Sequence, residues 1–405
     1  MSEWQEGARG SRRALSRMVV AQLLGSTVDG VAVSLAVLYF HESVGIPEVT
    51  IGLILAAGAA ASLVLATPLG VIADRIGLHR MGMALSALSA LALGTYALAS
   101  NVPTFMAGAM CFFVAQVSLN AIRQGIVAAQ ADPARRIRTR AIIYTMQNAG
   151  LGLGTVVGVL VVALNLTEYA PWAFATAALV ALVAGATFIG LPAAPTTPVL
   201  RAGPRLTALR DGRFMLVTGL SVILFVAMPL LSVLLPLWVS TRTASPSWLA
   251  AAGLALNTVL IVLFQTTIAS RLRSDNDASR FAWIGGIANF AACVLIGSAS
   301  LGTPLTSSLI VLVGIMALTA GEMFGGLAAW HLAFHHSPPE LQGQYQGTFS
   351  TAYSLARIIG PGAALPLVLG TGVTGWVILG LAFAVACGGL TVIGRRPPPT
   401  IAKDS

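Results

Sequence analysis

The chain has 405 residues, of which 9% are charged and 56% belong to the apolar set even before its 42 glycines are counted. A soluble domain carries roughly 25% charge, so this composition excludes a soluble enzyme; it also excludes a disordered chain, which needs low hydrophobicity and high charge. A polytopic membrane protein is left, and the net charge of +9 then points to basic loops on one side of a bilayer rather than to a nucleic-acid surface.

A helix needs about 20 mostly apolar residues to cross the hydrocarbon. Runs of that kind occupy 18–40, 48–72, 81–100, 103–129, 140–165, 169–191, 214–240, 248–270, 281–301, 305–333, 344–369 and 373–394. Strand-like alternation is absent and Leu, Ala, Val and Gly dominate, so the expected fold class is all-α, with twelve transmembrane helices, and not a membrane barrel. Ser11–Leu15, with Arg12 and Arg13, resembles a twin-arginine export signal. The apolar run behind it is too long for a signal peptide and carries Asp29, so it reads as the first span. Cys111, Cys293 and Cys387 all sit in apolar runs and read as packing residues.

Basic residues fix the expected orientation. Of the 23 lysines and arginines, 20 fall in alternate loops and the two termini, Arg242 stands alone on the other side, and Arg123 and Arg357 lie inside spans. That bias places both termini in the cytoplasm. Residues 192–213, with Pro192, Pro195, Pro198 and Pro204 among four arginines, form the longest polar stretch. They divide the chain into an N-terminal six-helix bundle (1–191), a cytoplasmic linker and a C-terminal six-helix bundle (214–405), the usual build of secondary transporters.

The sharpest motif is GVIADRIGLHR, Gly70 to Arg80, at the cytoplasmic end of the second span. Gly70, Asp74, Arg75, Gly77 and Arg80 match the loop 2–3 signature of the major facilitator superfamily, with His79 where a basic residue is usual. The chain resembles that superfamily over its whole length, and most closely its twelve-span proton-coupled drug and metabolite exporters. The resemblance implies that the loop is a conformational latch. Chemically, Asp74 can accept hydrogen bonds at a helix N-terminus of the other half, while Arg75 and Arg80 can meet acidic groups or lipid phosphates. In the fifth span Gly150, Gly154 and Gly158 recur every four residues, a spacing for close helix contact in lipid. No Gly-Pro step follows, a departure from the exporters' motif.

Four charges stand inside spans: Asp29, Arg123, Glu322 and Arg357. Each costs from about 2.5 to over 10 kcal/mol at the bilayer centre and so needs a reason. None is on spans three, six, nine or twelve, which the superfamily places outermost around a central cavity. Asp29 with Arg123 and Glu322 with Arg357 form one candidate ion pair per bundle; alternatively one carboxylate is free to titrate and carry a proton. Arg123 also resembles the family's span-four arginine linked to proton transfer. Asn120, Gln147, Asn148, Asn257, Gln265 and His331 are further polar candidates for the cavity, or else interhelical glue.

His331 and His335 are four apart, with His336 and Glu340 nearby, but the spacing lacks the intervening glutamate of a zinc-protease helix. No metal is assigned there, and a pH-sensitive interface contact is the favoured reading. Trp172, Trp248 and Trp376 stand near outer span ends as interface anchors. The expectation is therefore a monomeric transporter of the bacterial cytoplasmic membrane, without cofactor, exporting small amphipathic compounds against protons. An importer of the same fold, a membrane-embedded enzyme and a non-transporting sensor are the alternatives.

Overall fold

The computed structural model describes residues 2–132, 136–164, 166–191, 206–246 and 248–395, and every regular element among them is helical. Residues 192–205 of the expected linker and the basic tail from Arg396 lie outside the described residues. Each expected span is carried by a helix. The first six are α1 (Ser2–Glu42), α2 (Glu48–Ile76), α3 (Leu78–Leu98), α4 (Val102–Gln130), α5 (Arg136–Ala163) and α6 (Ala170–Ala186). Then follow α7 (Gly212–Arg242), α8 (Trp248–Ala269), α9 (Asp275–Ser298), α10 (Pro304–His335), α11 (Pro339–Thr371) and α12 (Val373–Arg395). Ten of these described helices are long and apolar enough to cross a membrane; α6 is a shorter apolar helix, and α5 opens on Arg136, Arg138 and Arg140.

Local chemistry sets where several of them begin. Asn101 starts α4 by accepting the Thr104 N–H at 3.0 Å, and Asp211 starts α7 through the Phe214 N–H at 3.0 Å. Ser274 and Asp277 form a reciprocal capping box at the head of α9. Such caps satisfy N–H groups that the first helical turn leaves unpaired. Between α2 and α3 the chain turns on Gly77, whose φ of +97° is a conformation that side chains disfavour. Two helices are interrupted by a π turn, α7 at Leu230–Leu234 and α11 at Gly360–Ala364. Pro229 and Pro236 flank the first, and Pro361 and Pro366 fall in or beside the second, where their missing N–H groups open the hydrogen-bond ladder.

The chain forms two compact units, one made of Met1–Ala208 with Pro338–Ile358, the other of Leu209–Ser337 with Ile359–Ser405. A segment from the second half of the sequence, the first part of α11, thus belongs to the first unit. Within that unit α1 lies along α5. A Cβ at Gly150 would come 2.5 Å from the Leu23 carbonyl oxygen, while one at Gly154 or Gly158 would collide with the Thr27 carbonyl or the Ser34 hydroxyl. An aromatic cluster of Phe40, Tyr96, Phe105 and Phe174 fills the space between α1, α3, α4 and α6. In the second unit Trp238 and Trp376 pack edge to face at 5.7 Å, and Trp238 Nε1 donates to the Ile296 carbonyl at 2.9 Å. Trp376 is therefore a core residue and not an interface anchor; Trp172 and Trp248 are exposed. Sequence position near a span end did not distinguish the two fates, because a helix end has an inward face as well.

Leu53, Val64, Leu91, Leu179, Leu305 and Val385 are among many large apolar side chains on the outside. A surface of that kind is stable only against lipid. The protein is a multi-pass integral membrane protein, and its three cysteines are free thiols in packed positions.

Candidate functional site

The first unit concentrates its polar groups on stripes that run down otherwise apolar helices. On α1, Gln22, Ser26 and Asp29 are four and three residues apart and share one face. Gln22 Nε2 donates to Ser26 Oγ at 2.9 Å, and Arg123 of α4 donates from Nη1 to Gln22 Oε1 at 3.2 Å. The Arg123 guanidinium occupies the space beside Gly25, where any side chain on α1 would displace it. Its Nε is buried without a hydrogen-bond partner among the described residues.

Asp29 lies half-buried one turn beyond Ser26, within electrostatic reach of Arg357 and Arg123. Among the described residues no hydrogen bond or direct ion pair reaches its carboxylate. The acid is thus held by two cations at a distance and clamped by neither. Arg357 belongs to the first unit, whereas Glu322 belongs to the second. Within the first unit, Arg357 of α11 is thus the second cation that acts on Asp29.

A second polar contact joins α5 to α11. Arg140 is buried, donates from Nη2 to Tyr353 Oη at 3.4 Å, and lies 4.9 Å from the centre of the Tyr144 ring. Counting basic residues by loop groups Arg140 with Arg135, Arg136 and Arg138, although the fifth apolar run opens on it, and gives Gln22, Tyr144 and Tyr353 no place in the site. The signal was present: Arg140, Tyr144 and Gln147 on α5, and Gln346, Ser350, Tyr353 and Arg357 on α11, recur at three- and four-residue intervals.

In the second unit Glu322 of α10 is half-buried and accepts from Asn257 Nδ2 of α8 at 3.0 Å; the same Nδ2 donates to Thr319 Oγ1 at 3.0 Å. Gln265 is buried on α8 with its Oε1 unpartnered, as is Asn120 Oδ1 on α4 among the described residues. Gln147 is half-buried, and Asn148 donates to the Tyr144 carbonyl of its own helix. His331 stands apart from Glu322, nine residues further along α10, and meets Asp275 instead.

The last turn of α2 brings Asp74 to the first turn of α11. Its Oδ1 accepts the Gly343 N–H at 2.6 Å and its Oδ2 accepts the Gln344 N–H at 2.7 Å. Two charge-assisted bonds at the positive end of a helix are a strong local hold. Gly70 makes the approach possible, since its Cα faces the Gly343 backbone with no room for a side chain. The seam continues toward the membrane through Thr67–Thr348 and Ser62–Ser354, each hydroxyl pair at 3.2 Å. Gln344 Oε1 in turn accepts the Ala208 N–H at 3.0 Å. Arg75 and Arg80 are exposed.

No curated protein sequence matches this chain. Its fold is that of known transporters. The human organic anion transporter MFSD10 (TETRAN) aligns with a TM-score of 0.73 at 19% identity, over 94% of this chain and 99% of that one. The Escherichia coli fucose:proton symporter FucP aligns with a TM-score of 0.72 at 14% identity, over 94% and 97%. The proton:xylose symporter XylE bound to 6-bromo-6-deoxy-D-glucose aligns with a TM-score of 0.71 at 14% identity, over 94% and 95%. The model of the Major Facilitator Superfamily matches residues 18–361, most of the chain, and the chain belongs to this superfamily of membrane transporters.

Proposed function

We propose that the protein is a proton-coupled secondary transporter that exports small amphipathic compounds across the cytoplasmic membrane by alternating access. The observation that carries this reading is Asp29: an acid midway along a membrane-spanning helix, acted on by Arg123 and Arg357 and bonded directly to neither. A carboxylate so placed can exchange a proton without first breaking a hydrogen bond. Protonation cancels its pull on Arg357, and α11 is the same helix that Asp74 holds by its first turn. Proton uptake at Asp29 of α1 is thereby linked, through Arg357 and α11, to release at the start of that helix, and Gly70, Asp74, Arg75, Gly77 and Arg80 act as the latch. Glu322, supported by Asn257, is the second candidate carrier.

Export follows from the motif resemblance. Import by symport is the competing direction, favoured by the two proton symporters among the structural neighbours. Inverted vesicles bearing the protein, offered a panel of amphipathic dyes and drugs in the outside medium, distinguish the two. Export predicts uptake into inverted vesicles that collapses with the proton gradient and is lost in Asp29→Asn or Glu322→Gln. Gradient-driven transport that survives both substitutions overturns the proton assignment. Accumulation in right-side-out vesicles alone overturns the direction.

A further inference from the structure

The second unit contains a cluster that the transport reading does not use. Where α9 begins and α10 ends, on the side assigned to the cytoplasm by the loop charges, Asp275 meets two histidines of α10. His331 Nε2 lies 2.7 Å from Asp275 Oδ1, and His335 Nδ1 lies 3.2 Å from the same oxygen. The three donor atoms fall within 4.8 Å of one another. We propose that Asp275, His331 and His335 form a binding site for a borderline divalent transition metal, with Zn2+ as the leading candidate.

Donor chemistry, geometry and access each support this. Two imidazole nitrogens and one carboxylate are a ligand set that Zn2+, Co2+, Ni2+ and Cu2+ favour and that Mg2+ and Ca2+ do not. Tetrahedral bonds of about 2.0–2.1 Å hold donors about 3.3 Å apart; the His335 separation of 3.2 Å from the shared oxygen is close to that spacing, and the His331 separation of 2.7 Å would have to open slightly to admit an ion. Histidines four apart on one helix face converge without backbone strain. Their partner helix is fixed close by: α9 and α10 approach so tightly that a Cβ on Gly285 would lie 2.7 Å from the Gly325 nitrogen. Side-chain exposures of 16% for His331, 30% for Asp275 and 36% for His335 leave an entry path and room for a water ligand. Neighbouring groups are already committed, with Asp277 in the capping box of α9 and His336 Nδ1 against the Leu332 carbonyl at 2.8 Å. Binding would replace both histidine–aspartate hydrogen bonds with metal bonds and clamp the start of α9 to the end of α10.

Co2+ serves as the optical probe, titrated into the purified full-length protein in detergent without a polyhistidine tag. The expected result is a visible ligand-field band of four-coordinate Co2+ that saturates at a 1:1 ratio, bleaches on addition of Zn2+, and accompanies a rise in the thermal midpoint. Loss of an outer partner of a metal site typically costs about 10–100-fold in affinity, so loss of a direct ligand in His335→Ala, His331→Gln or Asp275→Asn should cost at least as much. His335 is the most exposed of the three, which keeps its variant folded, and His336→Ala and His79→Ala should bind as the parent does. Absence of the band in the parent, or its persistence at parental affinity in both His335→Ala and His331→Gln, overturns the proposal.

Discussion

Asp74 holds α11 through Gly343, whose backbone N–H lies 2.6 Å from the Asp74 Oδ1. The pair is separated by 269 positions in sequence, and it fastens the start of a second-half helix into the first unit. A carboxylate suits this place because it offers only acceptors to two adjacent donors.

Asp74→Asn keeps the shape but turns one acceptor into an amide donor aimed at an N–H. Losing a buried hydrogen bond to a charged group costs about 1.5–3 kcal/mol. The thermal midpoint in detergent should fall by an amount consistent with that, and initial transport rates in vesicles should drop with it. A variant with parental rates would show that the contact is dispensable to the cycle.

The glycines of α5 should respond by face. Gly154→Ala inserts a methyl group against the Thr27 carbonyl, and overpacking of that kind costs about 1–3 kcal/mol. Gly152 has open space around it, and replacing a helical glycine there by alanine should leave stability equal or raise it by about 0.5–1 kcal/mol. Thermal unfolding of the two single variants side by side checks the contrast.

Arg123→Lys tests whether charge alone suffices on α4. A lysine keeps the cation near Asp29 but lacks the planar fork that lies beside Gly25 and donates to Gln22. Folding should be retained, while gradient-driven transport should fall by roughly tenfold, equivalent to about 1.4 kcal/mol in the barrier. Equal transport by both side chains would reduce Arg123 to a point charge.

The tryptophans offer a stability control away from any transport residue. Trp376 is buried against Trp238, so Trp376→Ala should cost about 3–5 kcal/mol. Trp248 is exposed, and Trp248→Ala should shift the thermal midpoint far less.

Much of the architecture was legible because hydrocarbon is an exacting solvent: twelve apolar runs of spanning length can hardly be anything but helices, and each has one. Asp29 and Glu322 were legible for the same reason, since an acid in such a run has few excuses. Arg140 was lost because a basic residue just inside a helix and one in the preceding loop look alike to a loop count; only the buried contact with Tyr353 separates them. The Asp275–His331–His335 cluster was hidden differently. Its two histidines were visible four apart, but the carboxylate arrives from a helix 56 positions earlier, and side-chain convergence across a helix pair leaves no mark on either sequence segment.

α11 leaves the first unit after Ile358 and enters its π turn at Gly360. A π turn contains one residue more than the α-helical turn it replaces, and both complete about one revolution of the helix axis. Deleting a single residue from Gly360–Ala364 would therefore close the turn into regular helix and leave Leu365–Thr371 in nearly the same angular position. Arg242 would keep its bond to the Leu369 carbonyl, 2.6 Å long. The turn thus acts as a buffer for chain length, absorbing a residue without passing the change on to the helix beyond it.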